Sequence, residues 1–337
     1  MSDTGTKGVR RPLGQRLEGI WYGRSPASLP LVPFGWLFRA LVGVRRLAFR
    51  VGLLRSVQLP VPVIVVGNIT VGGSGKTPLV VWLAERLTGA GMRPGIISRG
   101  YGGVAGKGPR RVAADSDPMQ VGDEPLLLAR RTGCPVWVAP DRVAAGREAV
   151  AAGCDVIIAD DGMQHYRLAR RIEIAVLDGD RGLGNGRLLP AGPLREPASR
   201  LRQVDFIVNN GAGRGDEVPM RLAASTAHRL DDAEVRLLSS FQGQSVHAVA
   251  GIGHPLRFFR TLRERGVEGI PHPFPDHHRF QAADLEFGDG APVLMTEKDA
   301  VKCRAFAGRN HWFVPVTAEL PAGFGEQVLA RIRSTEN

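Results

Sequence analysis

Residues 61–66, Val-Pro-Val-Ile-Val-Val, run straight into Gly67-Asn-Ile-Thr-Val-Gly-Gly-Ser-Gly-Lys-Thr77, and this junction restricts the fold more than any other part of the 337-residue chain. The short β-branched run reads as a strand, and residues 78–87 beyond the glycines read as a helix. A glycine loop in that setting leaves backbone N–H groups pointing at an anion held at the helix N-terminus. Lys76 then reaches the outer phosphates of a nucleotide, and the Thr77 hydroxyl is placed for Mg²⁺. Thr70, Val71, Gly72, Gly73, Ser74, Gly75, Lys76 and Thr77 are therefore the expected cofactor-binding set of a P-loop, which takes a nucleotide with Mg²⁺. Thr70 departs from the general P-loop pattern, which has glycine there.

The alternation continues, with strands expected at 95–98, 136–138, 155–159, 174–177 and 206–208 between helical patterns. Short, continuously apolar strands of this kind predict an α/β fold, a P-loop NTPase-like, mostly parallel sheet covered by helices on both faces. A second alternation starts near Ser245: a strand at 246–250, a helix at 255–265, a strand at 293–296, a short helix through Lys302, a strand at 312–316 and a terminal helix. It predicts a smaller C-terminal α/β domain. The expected organisation is a basic segment at 1–55, a P-loop domain at 56–208, a Gly-, Asp- and Arg-rich connector at 209–244, and the smaller domain at 245–337.

A P-loop needs an acidic partner for the metal, usually at the end of a neighbouring apolar strand. Asp155-Val-Ile-Ile-Ala-Asp-Asp161 supplies it, and spacing leaves open whether Asp160 or Asp161 is the ligand.

With 43% hydrophobic, 23% charged and 6% aromatic residues the composition is globular, which excludes collagen, coiled coil and disorder. Cys134, Cys154 and Cys303 are an odd, widely spaced set that suits a reducing compartment better than a disulfide framework. Charge is uneven. Residues 1–60 hold ten basic groups against two acids, +8, whereas the other 277 residues carry +3. No apolar run with a cleavage site marks a secretory signal. The longest uncharged stretch of the arm, 25–38, has three prolines and falls short of the ~20 residues that span a bilayer. From Phe34 onward, Phe34, Leu37, Phe38, Leu41, Val44 and Ala48 repeat at helical spacing, with Arg39, Arg46 and Arg50 on the opposite face. That pattern predicts an amphipathic helix lying on an anionic membrane leaflet. Large apolar residues interleaved with the basic ones argue against nucleic acid as the partner.

Seven segments in order carry a resemblance: Thr70-Val-Gly-Gly-Ser-Gly-Lys-Thr-Pro78, Ser98-Arg-Gly-Tyr-Gly102, Val121-Gly-Asp-Glu-Pro125, Asp160-Asp-Gly-Met-Gln-His165, Leu189-Pro-Ala-Gly-Pro-Leu-Arg-Glu-Pro197, Asp276-His-His278 and Thr296-Glu-Lys-Asp299. Together, over about residues 15–317, they resemble the tetraacyldisaccharide 4'-kinase family, in which threonine at the Thr70 position is the usual residue. The resemblance implies transfer of the γ-phosphate of ATP to the 4'-hydroxyl of tetraacyldisaccharide 1-phosphate, giving lipid IVA in lipid A biosynthesis. It also implies a peripheral enzyme at the cytoplasmic face of the bacterial inner membrane. Its oligomeric state is not legible.

The roles it implies make chemical sense. A sugar hydroxyl attacking a phosphoryl group needs its proton accepted and the phosphates neutralised. Asp123 is the implied base, paired with His277 and with His278 as the alternative. Arg142 and Arg195 are implied phosphate-facing cations, and Glu196 a metal ligand or orienting partner. Arg99, Tyr101 and Glu124 fall on the substrate side, and His165 supports the metal site from behind. Two other classes share the P-loop: a membrane-associated ATPase switch, and an enzyme with a soluble substrate, for which the +8 arm has no evident use.

Overall fold

The computed structural model describes residues 13–23, 25–101, 103–104, 106, 108–231 and 234–334. Lys7, Arg10, Arg11 and Arg24 of the basic arm, and Gly102 of the Ser-Arg-Gly-Tyr-Gly segment, lie outside the described residues. The chain divides into two compact units, one holding residues up to Leu54 with Ile69–Val71 and Asp180–Gln203, the other Arg55–Asn68, Gly72–Gly179 and everything from Val204 onward.

In the first unit, α1 (Leu13–Tyr22) leads through a single 3₁₀ stretch, Pro26–Leu31, into α2 (Val32–Arg50). Buried Trp21 anchors α1, its indole N–H donating to the carbonyl of Pro190 at 2.9 Å, and the Tyr22 hydroxyl donates to the carbonyl of Val71 at 3.0 Å. α2 comes close to the 180–203 segment at Gly35, where an added Cβ would lie 3.3 Å from the Leu188 carbonyl oxygen. Phe34, Trp36, Leu37, Leu41, Val44 and Leu47 are all exposed. Two sequence expectations change here. Arg46 does not share a solvent face with Arg39 and Arg50; it turns inward and donates to Gln203 Oε1 at 2.6 Å. The helical stretch Pro26–Arg50, 25 residues, is long and apolar enough to cross a membrane by length and composition, which a count of uncharged residues alone had excluded.

The second unit begins with β1 (Val63–Gly67), α3 (Lys76–Gly89), β2 (Pro94–Ser98), β3 (Arg110–Val112), α4 (Pro118–Val121), α5 (Asp123–Thr132), β4 (Val136–Val138), α6 (Arg142–Ala151), β5 (Val156–Asp160), β6 (Ile172–Asp178) and β7 (Phe206–Asn210). It continues with β8 (Val218–Ala223), β9 (Thr226–Arg229), β10 (Val235–Leu237), β11 (Val246–Ala250), α7 (Pro255–Glu264), β12 (Gly269–Pro273), β13 (Val293–Thr296), α8 (Glu297–Cys303), β14 (His311–Val314), β15 (Thr317–Glu319) and α9 (Phe324–Arg333). Nine strands form one sheet in the order β15-β8-β7-β6-β1-β5-β2-β4-β3, parallel except for the two edge strands. Six form another, β10-β9-β14-β13-β11-β12, whose last four are parallel.

β1, β2, β5 and β6 are buried throughout, which is why they read as apolar runs rather than alternating ones. Leu79, Leu83 and Leu87 of α3, Leu126 and Leu128 of α5 and Phe324 of α9 join them in one core, and Trp82 stacks on Phe324 at 5.6 Å. β1 lies between β6 and β5, so the chain leaves toward β2 and later returns across β1 to β6. A reversal of that kind opens a crevice at the carboxyl ends of the strands, where open α/β sheets bind ligands. Gly67, Asp160 and Asp178 end the three strands there.

The stretch 209–244, expected as a connector, contributes β8 to the nine-stranded sheet and β9 and β10 to the six-stranded one. β15 returns to the edge of the nine-stranded sheet, and α9 packs on its core. The compact units likewise do not follow the expected boundary near residue 55 alone, because 180–203 joins the N-terminal helices.

Candidate active site

The loop between β1 and α3 has little freedom. Gly67 sits against Met163, where a Cβ would come within 2.7 Å of Met163 Cγ, and Gly72 takes φ +105°. Gly75, the residue before α3, takes φ +91°, and any side chain there would collide with Asn210. Three amides brace the loop: Asn68 Nδ2 donates to the Gly72 carbonyl at 3.3 Å, Gln164 Nε2 to the Asn68 carbonyl at 3.1 Å, and Asn210 Nδ2 to the Ser74 carbonyl at 3.1 Å. The bracing fixes the loop that leads into the first N–H groups of α3, beside Lys76 and Thr77, at the crevice.

Lys76 Nζ lies 3.4 Å from Asp161 Oδ1, and Asp161 takes a left-handed φ of +48° just past β5. Asp160 is buried, and neither carboxylate oxygen has a hydrogen-bond partner among the described residues. Burial, aided by the charges of Glu124 and Asp161 and opposed by Lys76 and Arg142, raises its pKa to about 7. A buried acid without donors beside a nucleotide loop fits a divalent cation, whose hard oxygen ligands come from such carboxylates. Arg142, buried at the start of α6, approaches the Asp161 carbonyl at 3.5 Å; burial lowers its pKa, while Asp161 and Asp160 oppose that and Arg99 adds to it. Arg142, Asp160, Asp161 and Lys76 thus gather at one end of the sheet, with Arg99 exposed beside them.

Asp123 and His277, 154 residues apart, meet directly. His277 Nδ1 lies 3.0 Å from Asp123 Oδ2 and 3.2 Å from Oδ1. Asp123 is the first residue of α5, after Gly122 at φ +91°, and its Oδ1 also accepts the Glu124 N–H at 2.9 Å. His277 takes φ +58°, a costly conformation for a histidine that its partner helps hold. Burial acts to raise the Asp123 pKa, but the His277 hydrogen bond and the charges of Lys298, His277 and Lys302 win and hold it at about 2. The hydrogen bond that His277 donates to Asp123 raises the pKa of His277. Tyr101 lies over the imidazole at 5.2 Å between ring centroids.

Two lysines that sequence reasoning left without a role complete this cluster. Lys298 Nζ bridges Glu124 Oε1 at 2.9 Å and Asp276 Oδ1 at 3.2 Å, the sequence neighbours of Asp123 and His277. Lys302 Nζ is 3.8 Å from Asp123 Oδ2 and 2.8 Å from Asp299 Oδ1. Both stand on α8, which Thr296 caps by accepting the Asp299 N–H at 3.2 Å, while Asp299 accepts the Gly251 N–H at 2.8 Å. The signal was present in residues 296–302: a cap residue, Thr296, followed by Lys298 and Lys302 one turn apart places both on one face.

The remaining expected residues lie elsewhere. His278 turns away, pairing with Asp284 at 3.0 Å between Phe274 and Phe280, so the geometry favours His277 over it. His165 Nε2 lies 3.9 Å from Asp141 Oδ1, and its carbonyl accepts from Arg170 at 2.6 Å, a placement that braces the turn after Asp161. Arg195 and Glu196 belong to the first unit. The Arg195 N–H donates to the Ile69 carbonyl at 2.7 Å. Glu196 is buried, 3.3 Å from Arg200 and 4.0 Å from Arg46.

A braced glycine loop with Lys76 at a sheet reversal, beside an unpartnered buried aspartate, defines a P-loop nucleotide-binding α/β protein. Residues 27–333 match the family described as tetraacyldisaccharide-1-P 4'-kinase, and the chain belongs to that family. It is 53% identical over 332 residues to a tetraacyldisaccharide 4'-kinase of Alkalilimnicola ehrlichii, covering 95% of this chain and 99% of that one. It is 53% identical over 314 residues to one of Nitrosococcus oceani, covering 93% of each. The fold is similar, at a TM-score of 0.78 and 30% identity over 91% of this chain and 100% of the other, to the crystal structure of LpxK from Aquifex aeolicus in complex with ATP.

Proposed function

We propose that this chain is an ATP-dependent lipid kinase that transfers the γ-phosphate to the 4'-hydroxyl of tetraacyldisaccharide 1-phosphate, forming lipid IVA in lipid A biosynthesis. Membership of the family gives the reaction, and the observation that carries the mechanism is the 3.0 Å contact between Asp123 and His277. Asp123 is buried, with its oxygens engaged by His277 Nδ1 and the Glu124 N–H. With Nδ1 donating to Asp123, Nε2 of the more exposed imidazole is left to accept the sugar hydroxyl proton, and the carboxylate stabilises the imidazolium that results. Asp276 Oδ2, 3.9 Å from Nε2, adds negative charge beside the imidazolium that forms.

Lys76 and the loop N–H groups bind the nucleotide phosphates, and Arg142 adds positive charge beside Asp161. Mg²⁺ held by Asp160 or Asp161 with Thr77 would neutralise phosphate charge during transfer. The charge of Glu124 is felt at Asp160, which supports one crevice shared by dyad and phosphate loop. Arg99, Tyr101 and Glu124 line the acceptor side in this reading, with Arg195 and Glu196 assigned to the phosphates and their surroundings through the resemblance alone. The exposed apolar side chains of α2 and the basic arm support docking on the anionic cytoplasmic leaflet of the inner membrane.

Incubating the protein with γ-labelled ATP and the disaccharide in mixed micelles tests the reading, with liposomes lacking the acceptor as control. Label in a 4'-phosphorylated product is expected. ATP hydrolysis on liposomes alone, with no lipid product, would replace the kinase by a membrane-triggered ATPase switch.

A further inference from the structure

A cavity of about 430 Å³ opens beside the last turn of α5 and the start of α8, bordered also by the turn between β8 and β9 and by β14 and the residues after it. It lies roughly 10 Å along α5 from Asp123, so it is separate from the dyad. Its volume falls in the range of small-ligand pockets, ~300–1,000 Å³.

The charges on its wall are unbalanced. Arg130, Arg131 and Arg304 line it against a single acid, Glu297, and Arg131 already holds Glu297 at 2.7 Å. Among the described residues Arg130 and Arg304 form no ion pair: Arg130 Nε donates to the Ala114 carbonyl at 2.7 Å, and Arg304 rests 5.8 Å from the centre of the Phe313 ring. The two guanidinium groups are close enough that, after burial, the charge of Arg304 is the main influence lowering the pKa of Arg130, with Asp115 acting against it, and the charge of Arg304 is also felt at Glu297. Two like charges turned toward one cavity are held against their repulsion by the surrounding fold, and a bound anion removes that repulsion. Thr226 adds a hydroxyl to the same wall.

We infer that this cavity binds a small phosphorylated anion through Arg130 and Arg304, at a site apart from the nucleotide loop. Two planar guanidinium groups suit a phosphate better than a carboxylate, because they can engage two or three oxygens at once. Arg131 and Glu297 stay paired and form the floor of the site.

Pyrophosphate titrated calorimetrically at constant ionic strength tests this. The Lys76→Ala chain, its phosphate loop disabled, is expected to bind one equivalent. Adding Arg130→Gln and Arg304→Gln is expected to weaken that binding at least ~10-fold, which corresponds to about 1.4 kcal/mol. Arg304→Gln alone, at an exposed position where folding is not in question, is expected to weaken it several-fold. An absence of saturable binding to the Lys76→Ala chain, or an affinity unchanged by the arginine substitutions, would overturn the inference. Kinase activity of the arginine variants with Lys76 intact reports separately on the proposed reaction.

Discussion

His277 owes its raised pKa to Asp123, and this sets the pH dependence of transfer. The imidazole accepts a proton only when neutral, so the rate is expected to climb with pH along a limb lying above the ordinary value of about 6.5. Asp123→Asn removes the carboxylate that favours the imidazolium, which moves the limb to lower pH and cuts the maximal rate by ~10²- to 10⁴-fold. Lys298→Met acts in the opposite sense on the limb, because the Lys298 charge lowers the His277 pKa and its loss lets that pKa rise further. A pH–rate profile of the two variants checks both directions. Stability follows the same linkage. Asp123, held at about 2, contributes stability above its usual carboxyl range that is lost as pH falls toward 2; His277 contributes below about 6.5, and that is lost as pH rises through its raised value. Of these residues, Lys76 and the two aspartates at the end of β5 were legible from local chemistry, since loop, lysine and strand end are each contiguous in sequence. The Asp123–His277 pair was not: no spacing rule connects residues 154 apart, and only the resemblance joined them. Lys298 went unassigned because its partners, Glu124 and Asp276, come from two other segments.

At the scale of elements, buried parallel strands were the most readable parts, because burial on both faces leaves an unbroken apolar run. β8, β9 and β10 escaped notice because several of their residues are exposed or half-buried and the stretch is rich in glycine and charge. β12 escaped because Gly-Ile-Pro-His-Pro does not read as a strand; prolines are tolerated there since β12 is the edge of its sheet. Helix α2 was expected to be amphipathic with Arg39, Arg46 and Arg50 on one face, yet Arg46 faces Gln203 and Glu196 while Phe34, Trp36, Leu37, Leu41, Val44 and Leu47 are exposed. If that surface docks on membrane, Leu37→Asp with Leu41→Asp should weaken binding to anionic vesicles by on the order of 100-fold, from about 1.5 kcal/mol or more per leucine withdrawn from the interface. Vesicle sedimentation measures it, and unchanged partitioning would assign those side chains to another partner.

Across the whole molecule, two sheets fold into one unit that brings α5, α8 and the loop before Arg279 to a single cluster. Sequence reading recovered two alternations but drew the boundary between them as a connector, whereas β15 and α9 carry the chain end back to the first sheet. If Asp160, whose oxygens have no hydrogen-bond partner among the described residues, holds a divalent cation for the nucleotide, a chelator is expected to abolish transfer and excess Mg²⁺ to restore it. The central claim, that Asp123 and His277 act as one base beside the P-loop, is tested most directly by measuring phosphate transfer in Asp123→Ala, His277→Ala and the double variant. Each single substitution is predicted to lower kcat by ~10²- to 10⁴-fold, and the double variant to be no worse than the poorer single one. Full activity in His277→Ala, or losses that simply multiply in the double variant, would contradict the account.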